Sequence, residues 1–182
     1  GPNTGGKTVA IKTIGLFALM HQSGLQVPVA DGEMAIFDAV YADIGDSQSI
    51  ERSVSTFSSH MGRVIEILLE ATSNSLILLD ELGTGTDPEE GSALARAVLL
   101  HAAENDIPIA VTSHYRAVAE YAAESEDFAN ASVELNSETM LPTYQVLMGI
   151  PGRSYAIHVA RHLGMPSQVL DDAESMMDPS RA

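Results

Sequence analysis

Residues 1–8, GPNTGGKT, satisfy the pattern G-x-x-x-x-G-K-T in full. Glycines at 1, 5 and 6 free the backbone to curl its N–H groups round phosphate oxygens. Lys7 supplies a point charge for the β and γ phosphates, and Thr8 offers a hydroxyl to magnesium where a helix should open. A glycine-rich turn with no ligand fits this stretch taken alone, so a second element has to decide. LILLDE at 76–81 is that element: four aliphatic residues running into Asp80 and Glu81. A buried strand ending in two carboxylates gives them two jobs. Asp80 is placed to hold magnesium, directly or through water, and Glu81 to take a proton from an attacking water or orient it. IPIAVTSH at 107–114 repeats the logic and ends on His114. In an open parallel sheet, neighbouring strand ends converge on one crevice, where a neutral imidazole could hydrogen-bond the γ-phosphate or the water. Together these residues point to ATP, Mg2+ and hydrolysis.

The elements that must position them follow a βα rhythm. A helix is predicted over 8–23, ending near Ser23 and Gly24 and packing Ile11, Ile14 and Leu19 inward. AIFDAVYA at 35–42 reads as a strand, and Ser55 or Thr56 can cap a helix over 57–72. SLILLDE at 75–81 has the length and composition of a buried parallel strand. A helix over 89–104 and the strand at 107–114 follow. The pattern then changes. ASVELN at 131–136 and PTYQVLM at 142–148 predict an antiparallel hairpin, and 151–164 and 166–177 predict two short helices punctuated by Gly164 and Pro166.

Composition sets the bounds. A chain of 182 residues with 45% apolar content is enough for one domain with a real core. With no cysteine, disulfides, thiolate metal sites and cysteine nucleophiles are excluded, which suits a reducing compartment. No apolar run approaches the ~20 residues of a bilayer span, and no leader pattern opens the sequence, so the expected location is cytoplasmic, away from membranes. Twenty-five acidic residues against nine Lys and Arg give a formal net charge of −16. Such a surface repels a phosphate backbone, so any nucleic-acid role belongs to another domain or a local patch; otherwise the charge only solubilises.

These residues resemble the MutS-type ATPases of the ABC superclass. GPNTGGKT resembles their Walker A loop, STFSSHM at 55–61 their signature region, LILLDELGTGTDPEEG at 76–91 their Walker B and D-loop, and TSHY at 112–115 their histidine switch. The resemblance spans essentially the whole chain. It implies a P-loop NTPase fold of ABC type, a mainly parallel sheet flanked by helices, with the hairpin and short helices at the C-terminal end. Gly1, Pro2, Asn3, Thr4, Gly5 and Gly6 would form the phosphate loop with Lys7 and Thr8. Gln48 falls near the position where ABC-type proteins place a glutamine on magnesium. Ser55 and Thr56 would face the nucleotide of the opposite subunit, making the ATP sites of a homodimer composite.

Mismatch-repair members typically carry methionine at the position of Thr4, a signature closer to STFMVEM, and serine or threonine in place of Asp87 and Pro88. This chain departs at all three. It is most similar to the second bacterial branch of the family, the recombination-suppressing paralogues. Members of that branch carry a C-terminal Smr nuclease domain and are linked to branched DNA and, in some bacteria, to collided ribosomes. The implied function is nucleotide-gated clamp movement; a mismatch-repair ATPase and a dimerisation module with negligible turnover stay open as alternatives. The family also implies a strand before the loop, and an adenine-stacking aromatic upstream. The chain is therefore expected to be the C-terminal part of one ATPase domain, with 1–128 as nucleotide-binding core and 129–182 as a dimer-side extension.

Two further groups lie outside these motifs. His158 and His162 stand four apart on a predicted helix and could ligate a metal or be a structural pair. Met176 and Met177 are expected to pack on a helix rather than form a recognition surface.

Overall fold

The fold is built on one four-residue strand, LILL, whose alternate side chains feed two different cores. In the computed structural model, which describes residues 6–45, 56–136, 139, 141–150, 152 and 155–177, all four residues are buried. The elements in order are α1 (Lys7–Gln22), β1 (Val40–Asp43), α2 (Thr56–Glu70), β2 (Leu76–Leu79), α3 (Pro88–Glu104), β3 (Ile109–Val111), α4 (Arg116–Glu124), β4 (Ala131–Leu135), β5 (Pro142–Met148), α5 (Ala156–His162) and α6 (Ser167–Ser175). Strands β1, β2 and β3 pair in parallel with β2 in the centre. Because strand side chains alternate between faces, Leu76 and Leu78 pack with Ile11 and Ala18 of α1. Ile77 and Leu79 pack with Val64 and Ile67 of α2, with α3 through Ala95, Val98 and Leu99, and with Val118 of α4. Helices therefore cover both faces of a parallel sheet, the layered arrangement that such a sheet requires.

Helix α1 ends as its sequence predicts, with Ser23 at the C-cap and Gly24 in the left-handed region. Its buried face differs from the expectation. Ile11, Gly15 and Ala18 face the sheet, whereas Ile14 and Leu19 are 42% and 47% exposed. The reason is Gly15: a Cβ there would meet Leu78 Cδ1 at 2.5 Å, so the helix lies closest to the sheet along its smallest side chains. That 11–15–18 line excludes 14 and 19 from the contact.

The first strand starts later than AIFDAVYA suggests, because the chain at Asp38 is occupied elsewhere. Its carboxylate accepts hydrogen bonds from Thr72 Oγ1 at 2.6 Å and Ser75 Oγ at 2.7 Å. Those bonds, Thr72 first and then Ser75, hold the carboxyl below its ordinary range. Pairing with β2 begins at Val40. Helix α3 is capped by Asp87, whose carboxylate accepts from the Glu89 and Glu90 N–H groups at 2.9 and 3.2 Å, with Pro88 in the first turn.

Two stretches depart from expectation towards the C-terminus. Helix α4 is absent from the sequence reading, since RAVAEYAAE offers no aliphatic stripe beyond Val118 and Ala122. Met176 caps α6 instead of packing on it and is 83% exposed; Met177 is 48% exposed. The hairpin β4–β5 forms as predicted, with a register irregularity between Val133 and Leu135. Among the described residues no helix is long and apolar enough to cross a membrane.

Candidate functional site

Three parallel strands end side by side on Asp43, on Leu79 followed by Asp80, and on Val111 followed by Thr112. Backbone bonds lock these ends together. Asp80 N donates to Asp43 O at 3.0 Å, Thr112 N to Leu79 O at 2.9 Å, and Leu82 N to Thr112 O at 3.1 Å. The first turn of α1 is brought to the same edge, where Thr8 Oγ1 donates to Asp80 Oδ2 at 2.6 Å across 72 positions. Thr112 Oγ1 donates to the other oxygen, Asp80 Oδ1. Asp80 is thus an acceptor held on both oxygens by hydroxyls from two elements.

Glu81 leaves the strand in the left-handed region at φ 52, a conformation that costs a non-glycine residue about 1 kcal/mol or more. Its N–H donates to Thr112 Oγ1 at 2.8 Å. The turn returns Leu82 to the core while Glu81 stays half-buried at the edge. Gly83, at φ 83, and Gly91 then meet backbone to backbone, with no room for a Cβ on either, and Tyr115 Oη donates to Gly83 O at 3.0 Å.

Lys7 opens α1 beside these acids. Burial pushes its ammonium below its ordinary pKa, and the charges of Glu81 and Asp80 pull it partly back. Gly6 caps the helix at φ 88. The ring of Tyr144, itself at φ 60 and 62% exposed, covers Gly6: its Cδ1 would lie 3.1 Å from a Cβ there.

The structure therefore brings Gly6, Lys7, Thr8, Asp80 and Glu81 to one edge. His114 stands three residues beyond the end of β3, exposed and against the Tyr115 ring at a centroid distance of 4.5 Å. Gly1, Pro2, Asn3, Thr4, Gly5, Gln48 and Ser55 lie outside the described residues, and Thr56 is the first residue of α2. His158 and His162 both fall on α5 and are exposed, and among the described residues no three or more His, Cys, Asp or Glu side chains cluster so as to hold a metal ion. Thr112 and Tyr144 went unrecognised in the sequence. Counting one residue past each aliphatic run would have found Thr112 as the counterpart of Asp80.

The profile of MutS domain V matches residues 1–179. The chain is 53% identical over 179 residues to the "Endonuclease MutS2" of Shouchella clausii and 51% identical over 179 residues to that of Streptococcus uberis, covering 98% of this chain and 23% of each relative. The Listeria monocytogenes protein of the same name is 50% identical over 183 residues, covering the whole chain and 23% of that relative. The chain thus spans about a quarter of the length of these relatives.

Proposed function

The chain belongs to the MutS domain V family, and from that premise we propose that it binds and hydrolyses ATP as part of an ABC-type P-loop domain. The observation that carries this reading is the Thr8–Asp80 hydrogen bond, with Lys7 set among the acids. The hydroxyl of Thr8 and the carboxylate of Asp80 are hard oxygen donors that suit magnesium and would hold it, with Gln48 as a further donor. Bound there, the ion would neutralise charge on the β and γ phosphates.

The loop from Gly1 to Gly6 cradles the phosphates, and Lys7 adds a cation whose partial desolvation favours an anionic partner. Glu81 takes the proton of a water as its oxygen bonds to the γ phosphorus, the bond to the bridging oxygen breaks, and ADP leaves. Thr112 holds Asp80 and the Glu81 backbone in place. His114 reads the γ-phosphate, and the exposed Tyr144 ring beside Gly6 offers a face for the nucleotide.

On this reading 1–128 form the nucleotide-binding core and 129–182 a dimer-side extension of the same domain. Asn130 Nδ2, donating to Ala119 O at 2.7 Å, and Tyr144 against Gly6 join the two. Two copies pair so that Ser55 and Thr56 of one complete the ATP site of the other. The relatives' name, "Endonuclease MutS2", supports an endonuclease activity of the parent protein through regions outside this chain; the family resemblance adds branched DNA, and stalled or collided ribosomes, as what it acts on. Phosphate release by the full-length protein tests the core of the proposal. Turnover in the wild type and none in Lys7→Ala is expected; equal turnover in both would overturn it.

A further inference from the structure

Asp43 is a buried carboxylate, 8% exposed, that the chemistry above does not use. It ends β1, and its carbonyl accepts the N–H of Asp80 at 3.0 Å. Its side chain reaches the other way, to α2. His60 Nδ1 donates to Asp43 Oδ2 at 2.8 Å, and Arg63 Nε stands 3.6 Å from Oδ1. An ionised carboxylate only accepts, which fixes the proton on Nδ1 of His60. His60 sits one turn inside α2, and Arg63 one turn further on the same face. A single residue therefore joins the opening of α2 to the backbone that carries Asp80 and Glu81. The same cleft is lined by Asp43, His60, Asp80 and Glu81.

We infer that the His60–Asp43 hydrogen bond couples the position of α2 to the two strand-end acids, making His60 a positioning residue for hydrolysis. The inference rests on the ATPase reading above. Its physical basis is the short rigid path: imidazole to carboxylate, carboxylate to β1 backbone, β1 backbone to Asp80 N–H. Asp43 is nearly enclosed and Arg63 is largely exposed, so the directional, charge-assisted bond from His60 is the stronger tie. Loss of it lets α2 shift against the strand ends, and displacements near 1 Å at a reacting group cost up to about 10²-fold in rate.

The test uses the full-length protein as wild type, His60→Leu and His60→Asn. Leucine preserves bulk without a donor, whereas the asparagine amide places an N–H close to the position of Nδ1. Expected are a fall of roughly 10- to 100-fold in kcat for His60→Leu with KM for ATP changed less than about threefold, and recovery of most of that loss in His60→Asn. A kcat for His60→Leu within twofold of wild type overturns the inference while leaving the ATPase reading intact. So does an equal loss in both variants with a matching fall in thermal midpoint, which marks a structural role only. A wild type without turnover overturns the ATPase reading and this inference with it.

Discussion

Thr8 Oγ1 donates to Asp80 Oδ2 at 2.6 Å, joining the first turn of α1 to the end of β2 across 72 positions. Each group satisfies the other here, and on the ATPase reading these same two side chains would hold magnesium, Asp80 directly or through water. Thr8→Val should therefore weaken ATP affinity when magnesium is present far more than in excess EDTA. Titration of a fluorescent ATP analogue under both conditions checks this, and an equal loss in both would remove Thr8 from the metal site.

Thr112 serves two partners with one hydroxyl, donating to Asp80 and accepting from the Glu81 N–H. Valine is close in shape but lacks the hydroxyl. Thr112→Val should destabilise the protein by about 1–3 kcal/mol, the cost of unsatisfied groups at a site where Thr112 is 8% exposed, and should lower turnover as well. Denaturant unfolding checks the first part; a change below about 0.5 kcal/mol would show that water replaces the hydroxyl at no cost.

Lys7 gives a pH signature. Burial lowers its folded-state pKa, so the unfolded chain binds its proton more tightly. Stability rises with pH wherever the unfolded state holds more protons, which here is the alkaline window between the lowered folded value and the ordinary lysine value. Below that window the cost of a partly desolvated ammonium is fully present. Without nucleotide, Lys7→Met should be at least as stable as wild type at neutral pH, with the advantage shrinking as pH rises through that window. Chemical denaturation at several alkaline pH values checks this; an advantage that grows with pH would contradict it.

The strand end carrying Asp80 and Glu81 was legible because LILL is too short and too uniformly aliphatic for anything but a covered strand, and polar residues at its exit had to surface at the sheet edge. Thr112, the first residue past β3, carried no role in the sequence because a threonine at a strand end is ordinary until its position beside Asp80 is known. The inward face of α1 was misread for a related reason. Large side chains at Ile14 and Leu19 look like a core face, yet Gly15 and Ala18 decide where the helix can approach Leu78. The pair of His60 and Asp43 is separated by 17 positions and belongs to no common motif, so only the fold brings it together.

The charge of −16 predicts weak contact with nucleic acid. Isolated residues 1–182 should bind duplex DNA negligibly at physiological salt, because counterion release needs a cationic face. A micromolar, salt-sensitive affinity by fluorescence anisotropy would reveal a basic patch within this domain.

Glu81 carries the central claim, and Glu81→Gln in the full-length protein tests it most directly. The amide keeps the shape of the side chain and loses the base, while Lys7, Thr8 and Asp80 are untouched. Equilibrium ATP binding should stay within a few-fold of wild type, and single-turnover hydrolysis should fall by roughly 10²-fold or more. Hydrolysis at the wild-type rate in a variant that binds ATP normally would contradict the assignment of Glu81 as the base.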